Sequence, residues 1–331
     1  MTSHRTRVRA GAALLLASLA LGAAGCGSTA KTSGPAGDDG GTHLLAFTTT
    51  RASGTSGGHD VAIYDADLGI FRDASGLNST FGQSEPCIAD DGSVVAFASA
   101  RTGGAGGSDL WVYDRLTQKV RSPAGLNSAA NETWPRFTHD SRRIAFVRDS
   151  AGVKRVRLYD GAGAALVALP GLDAPGAGND DSPAPDLAGD RIAFASDRSG
   201  PTHVYVWNRA TGVASLPALA GDLLDADPAL SSNGRWLAFA TNRTGGACGW
   251  DVVLYDLQAS AFVPLPRCNT AGDERHPAVS ADGSMLFLQS RQGPAQPWAI
   301  WRYTLADSVR TQPAGLVTTS GEDREPCLRW P

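Results

Sequence analysis

The stretch "FASAR" at residues 97–101 returns as "FASDR" at 194–198 and as "FATNR" at 239–243. With its Phe as the marker, the position recurs as Phe47, Phe97, Phe146, Phe194, Phe239 and Phe287, spaced 45 to 50 residues apart. Pro86, Pro135, Pro183, Pro228 and Pro277 each stand ahead of a marker, and a sixth, Pro326, has no Phe after it. A second aromatic follows every Phe, as Tyr64, Tyr113, Tyr159, Trp207, Tyr255 and Tyr303. Three landmarks sharing one period mean that one supersecondary unit repeats along the chain. A unit this small buries its apolar faces only against its neighbours.

The unit from Glu85 to Gly125 shows the parts. "PCIA" reads as a short strand opened by Pro, "DDG" as a tight turn and "SVVAFAS" as a second strand. "ARTGGAGGSD" is a Gly-rich loop, "LWVYD" a third strand and "KVRSPA" a weaker fourth. Glycine (39 residues) and proline (19) beside an ordinary 42% hydrophobic content suit many short strands joined by turns. Four antiparallel strands per unit make one propeller blade. The body begins at His43 with "HLLAFTTTR", a second strand, and finishes with "EDREPCLRWP", a first strand. Pairing the two supplies what each end lacks and hides two bare strand edges. The expected fold is therefore all-β, over residues 43–331. It is a six-bladed β-propeller of four-stranded antiparallel blades, closed by the C-terminal strand joining the N-terminal blade.

"PAVSADGSMLFLQSR" at 277–291 resembles the WD40-like repeat of TolB-type β-propellers, and the resemblance covers nearly all of 43–331. TolB itself carries an α/β domain ahead of its propeller, and this chain resembles the propeller half. The resemblance implies the fold, whereas function has to be argued from sites. It also implies that the central channel takes up a peptide.

Ahead of the body, "MTSHRTRVRA" is basic, "GAALLLASLALGAAG" is apolar, and Cys26 follows. Residues 1–25 read as a secretory signal whose apolar run is too short to span a bilayer. A cysteine directly behind such a run resembles the lipidation site of bacterial lipoproteins. Residues 27–42 hold no aromatic and no aliphatic side chain larger than Ala. The segment 26–42 therefore reads as a flexible tether behind a lipidated Cys26. The expected product is exported, faces the periplasm or the cell exterior, and meets the membrane through its lipid anchor only. A net charge of −4 without a long basic cluster leaves no footprint for nucleic acid.

Acids crowd the segments leading into the first strands: "GQSEP", "NETWP", "NDDSP", "LDADP", "DERHP" and "EDREP". At one channel mouth, Glu85, Glu132, Asp180, Asp227, Glu274, Asp323 and Glu325 would raise a negative potential beside His276. A Ca2+ ion or a basic peptide segment would neutralise it. The bland reading is that these side chains cap turns. The Arg four residues after the Phe (Arg51, Arg101, Arg198, Arg243 and Arg291) is expected to pair with the Asp opening the third strand (Asp60, Asp109 and Asp251). The unit reading "FVRDS" has Ser150 at that place.

"GTSGG" at 54–58 matches a nucleophile pattern, but Ser56 lies in a Gly-rich loop and not on the strand-to-helix turn this chemistry needs. With Cys26 set aside, four cysteines permit two disulfides in an exported chain. Cys248 and Cys268 lie in loops on one face of one blade, and Cys87 and Cys327 share the register "EPC" in adjacent blades. No C-x2-C spacing points to zinc. The leading functional reading is a non-enzymatic cell-envelope scaffold that binds a protein or peptide partner through the channel mouth and loops. The alternative is a propeller hydrolase or lyase acting on a glycan or peptide of the envelope, which needs a convergent acid–base or metal set.

Overall fold

A computed structural model describes residues 43–51, 58–172, 177–219, 221–243, 249–316 and 321–329. The signal segment 1–25, Cys26, the tether 26–42, Ser56 and Cys248 lie outside the described residues.

Short runs of β-branched, aromatic and small apolar residues broken by Asp and Gly become strands joined by tight turns. Blade 1 contains β1 (Leu44–Thr49), β2 (Asp60–Asp65) and β3 (Ile70–Phe71). Blade 2 contains β4 (Gln83–Ile88), β5 (Val94–Ser99), β6 (Asp109–Asp114) and β7 (Lys119–Arg121). Blade 3 follows with β8 (Asn131–Phe137), β9 (Arg143–Ser150), β10 (Val153–Asp160) and β11 (Ala165–Val167). Blade 4 has β12 (Asp180–Pro185), β13 (Arg191–Ser196), β14 (His203–Asn208) and β15 (Gly212–Ser215). Blade 5 has β16 (Asp225–Leu230), β17 (Trp236–Thr241), β18 (Asp251–Asp256) and β19 (Ala261–Val263). Blade 6 has β20 (Asp273–Val279), β21 (Met285–Arg291), β22 (Ala299–Thr304) and β23 (Val309–Thr311). The last strand, β24 (Asp323–Arg329), pairs antiparallel with β1 and completes blade 1, so both chain ends build one sheet.

Six apolar clusters, one at each blade interface, hold the ring together. Phe97 packs with Leu44, Ala46, Val61 and Ile63 of the preceding blade, and Phe47, Phe146, Phe194 and Phe239 do the same in theirs. All are 0% exposed, and burying one such ring stabilises by about 1.5–3 kcal/mol. Blade 6 departs. Leu288, not Phe287, opposes the bulge of β20 and packs toward blade 5, while Phe287 faces blade 1. Along a strand, one residue of offset moves a side chain to the opposite face.

The second aromatic clamps a loop of the blade before it. Tyr113 Oη donates to Ser75 O at 3.0 Å, Tyr159 Oη to Ala124 O at 2.8 Å and Trp207 Nε1 to Pro170 O at 2.9 Å. Tyr64 Oη reaches Ala314 O of blade 6, which repeats the clamp across the closure. In four blades the tetrapeptide after the third strand is also capped by an Asp. Asp65, Asp114, Asp160 and Asp256 accept backbone N–H groups two or three residues on.

The arginine prediction is corrected in its partner. Arg51, Arg198, Arg243 and Arg291 pair with Asp323, Asp180, Asp225 and Asp273, which open the first strand of the same blade. Asp109, at the start of a third strand, instead accepts N–H groups of Ala105 and Gly106. Where blade 3 has Ser150, Arg148 reaches the acid, Glu132, at 2.7 Å. In blade 6, Arg310 meets Glu274 at 2.9 Å. Four of these arginines also tie down a loop carbonyl: Arg51 that of Leu316, Arg148 that of Leu126, Arg243 that of Leu219 and Arg310 that of Cys268. Blade 2 lacks the acid. Gln83 stands there, and among the described residues Arg101 keeps the Leu77 carbonyl and its stacking on Phe97 and Trp111.

Cys87 of β4 and Cys327 of β24 are joined in a disulfide, with Cα atoms 5.0 Å apart. The bond ties blade 2 to the strand that closes blade 1, and it fits a chain exported to an oxidising compartment. Cys268 occupies the buried loop position held by Leu77, Leu126 and Leu316 at other interfaces, and behaves as a small hydrophobe. Burial pushes its thiol up to about 12. Among the described residues it has no disulfide partner.

Candidate functional site

The first strands β24, β4, β8, β12, β16 and β20 neighbour one another in a closed ring around the channel. The sequence placed Pro at the start of each, but β4 begins three residues earlier, at Gln83. Pro86 lies inside the strand at a bulge, where Glu85 and Pro86 together oppose Phe97. The other five blades repeat the bulge at their own Pro. Pro is tolerated there because the bulge already interrupts the ladder, so no hydrogen bond is lost to the missing N–H.

The residue before each Pro is left-handed: Glu85 (φ 55°), Trp134 (53°), Ser182 (49°), Asp227 (52°), His276 (46°) and Glu325 (56°). None is glycine, and holding another residue there costs on the order of 1 kcal/mol or more. The bulge takes these six out of the two-residue alternation of the strand.

That geometry divides the acids predicted for the mouth. Glu132, Asp180, Glu274 and Asp323, three residues before Pro or two before the bulge residue, are 0% exposed between sheets and are held by arginines. Glu85, Asp227, His276 and Glu325 belong to the bulge ring. Selecting by charge missed Trp134 and Ser182 of the same ring. Reading down the column of residues before each Pro finds all six.

A belt of hydrogen bonds joins the ring. Glu325 Oε2 accepts the N–H of Glu85 at 2.8 Å, and Glu85 Oε2 accepts that of Trp134 at 2.7 Å. The Asp227 carboxylate accepts the N–H of His276. His276 has no carboxylate to hand onward, and Gln289 Oε1 accepts the Glu325 N–H at 2.7 Å instead. The imidazole of His276 stacks on the indole of Trp134, with centroids 5.1 Å apart. The two rings come from blades 3 and 6 and meet across the axis.

Burial holds His276 below the ordinary imidazole range, so it is neutral near pH 7. Burial works against the Asp227 charge, but Arg275, joined by the imidazole of His276 at pH low enough to protonate it, outweighs it and leaves the carboxyl below its usual range. Since the imidazole is neutral and its Nε2 lies 3.6 Å away, the lasting partner is Arg275, bonded at 2.7 and 3.2 Å. Burial, with Glu325 adding to it, pushes Glu85 up to about 8.

These side chains do not fit a hard cation. Ca2+ takes six to eight oxygens, while among the described residues no group of three or more acid, His or Cys side chains converges on a point. Arg136 stands among Glu85, Glu325 and Asp227, and it supplies the positive charge a cation would bring.

Beyond the stacked rings, toward the turns after the first strands, lies a cavity of about 80 Å³. Ala184, Ala229, Ala278 and the disulfide wall it, with Arg136 on one side. At its outer end, His139 Nδ1 pairs with Asp90 Oδ2 at 2.6 Å, and Nε2 lies 3.3 Å from Leu230 O of blade 5.

No protein-family model matches the sequence, and no curated protein matches it. Solved structures do. TolB from Acinetobacter baumannii is similar over 86% of this chain, with a TM-score of 0.69 at 20% identity. This chain spans 66% of the length of that protein. A putative TolB from Agrobacterium tumefaciens is similar over 87% of this chain and 98% of its own, with a TM-score of 0.56 at 12% identity. An oligogalacturonate lyase in complex with manganese covers 77% of this chain and 70% of its own, with a TM-score of 0.54 at 11% identity. The chain has the TolB-like six-bladed propeller fold.

Proposed function

We propose that this chain is an exported, non-enzymatic binding scaffold, lipid-anchored at Cys26, which holds a protein or peptide partner at the channel of its propeller. One observation carries the reading. At the bulge the repeat keeps Pro in all six blades, yet the residue before it is Glu, Trp, Ser, Asp, His or Glu. Packing needs explain a repeated residue and leave a varied one unexplained. Strained backbone that presents five kinds of side chain at six equivalent positions of one channel is the pattern expected of a recognition site.

A hydrolase reading has less to stand on. The His203–Asp225 pair, at 3.0 Å, looks like two members of a catalytic triad. The other ring nitrogen, Nε2, faces the carbonyl of Gly221 at 3.1 Å and must carry the proton there. It is therefore not available to take a proton from a nucleophile.

The test is crosslinking capture from native envelopes with the intact lipidated protein as bait. A partner enriched by the wild type should be lost with Trp134→Ala and with His276→Ala. It should be kept with Leu116→Ala, at an outer edge 75% exposed. Capture that survives both channel variants would move the binding surface away from the channel.

A further inference from the structure

We propose that the channel cavity holds a carboxylate carrying a small apolar group, gripped by Arg136. The proposal rests on the reading that the channel takes a ligand, and it names the chemistry of that ligand. At the position after each Pro, the first strands place Cys87, Arg136, Ala184, Ala229, Ala278 and Cys327. Five of the six are small, two of them joined in the disulfide. The sixth is a guanidinium lining the cavity.

Arg136 Nη1 donates to the carbonyl of Pro135 at 2.9 Å, and Cζ lies 5.5 Å from the centroid of the Trp134 ring. Among the described residues no carboxylate stands within ion-pair distance of it. The blade arginines differ, since Arg148, Arg198 and Arg310 each meet a buried acid. The acids nearest Arg136 are already engaged. Asp227 holds Arg275, Glu325 Oε2 accepts from Thr48 and from Glu85 N–H, and Glu85 Oε2 accepts from Trp134 N–H.

A guanidinium stays charged throughout the physiological pH range and offers five donors in a planar fork. Glu325, Glu85 and Asp227 act on this charge from beyond ion-pair distance, and a carboxylate accepting two parallel N–H bonds would pair it directly. The cavity of about 80 Å³, lined in part by the stacked Trp134 and His276, has room for a carboxylate and one small residue. Alanine, proline and disulfide walls favour an apolar substituent beside the guanidinium, while Asp90, Asp227, His139 and His276 make up much of the polar lining. Two sources present this chemistry: the C-terminal residue of a peptide, or a free short-chain acid.

Titration calorimetry on the intact protein separates them with three probes: acetyl-Ala-Ala bearing a free carboxylate, the same peptide as its C-terminal amide, and propionate. The free acid should bind at least about tenfold more tightly than the amide. Arg136→Gln should abolish that preference. Arg136→Lys, which keeps the charge without the fork, should retain part of it. Binding of the peptide acid without propionate identifies a C-terminus, and equal binding of propionate identifies a small acid. Either result supports the site. Equal affinity for acid and amide, an unchanged acid affinity in a folded Arg136→Gln, or no binding by any probe overturns it. Failure here leaves partner capture untouched, because that is read through Trp134 and His276.

Discussion

The rings of Trp134 and His276 lie nearly parallel, 13° apart in plane, with centroids 5.1 Å apart, and join blades 3 and 6 directly. Blades 3 and 6 are opposite in a six-membered ring, so this contact bypasses every blade interface. Both residues are left-handed members of the bulge ring, which presents their side chains to the axis. Stacked aromatic pairs contribute roughly 0.5–1.5 kcal/mol beyond their burial. A double-mutant cycle on Trp134→Ala and His276→Ala, read by denaturant unfolding, should give a coupling of about that size. A coupling of zero would mean that the rings touch without bracing the ring of blades.

Glu85 ties stability to pH. Its carboxyl titrates at about 8 in the folded protein, against about 4.3 when unfolded. The folded state holds the proton more tightly. The contribution is complete below the unfolded value and is lost as pH rises through the folded one. The slope is at most about 1.4 kcal/mol per pH unit. Glu85→Gln keeps an oxygen for the Trp134 N–H and removes the titration. The wild type should therefore lose melting temperature relative to Glu85→Gln between about pH 5 and pH 8. Parallel curves would show that Glu85 ionises in the fold at little cost.

The disulfide joins residues 240 apart in sequence. Constraining so long a loop in the unfolded chain is worth about 5 kcal/mol on the chain-entropy account, and removing a native bridge commonly costs about 2–5 kcal/mol. Cys87→Ser combined with Cys327→Ser should destabilise by that amount. A reductant should bring the wild type down to the variant. A wild type indifferent to reductant would show that strand pairing alone secures the closure.

The arginine–acid pairs should be unequal in effect. Asp225 is buried and accepts from Arg243 and Thr241. Asp225→Asn leaves Arg243 without its counter-charge and should cost about 3–5 kcal/mol. In blade 2, where Gln83 stands for the acid, Arg101→Met removes a guanidinium that has no acid to lose, and should cost under about 1.5 kcal/mol. Equal losses in chemical denaturation would mean that the arginines act through loop carbonyls and stacking, not charge.

Blade number and ring closure were legible because Pro, Phe and Tyr each serve one packing task in every unit. Phe287 misled for a physical reason. Counting eleven residues from each Pro gives Phe97, Phe146, Phe194, Phe239 and Leu288, and that count follows the strand, whereas residue type does not. The acids were visible as composition, but their division into buried braces and ring members depends on a bulge that alternation cannot reveal. Asp225 and Asp227 stand two residues apart and share a chemistry, yet one braces a blade and the other belongs to the channel ring. Arg136 was hidden because its peculiarity lies in its column, where every other blade has Ala or Cys.

The closure of blade 1 by β24 sets an order in time. During synthesis β1 emerges first, and the strand that covers its edge emerges last. Until then the channel has five walls, no covalent lock, and one exposed template for stray pairing. A chain cut short before Asp323 therefore lacks the strand that closes blade 1. The sheet that carries β1 is complete only once β24 is in place, so the ring of first strands closes as one of the later events of folding.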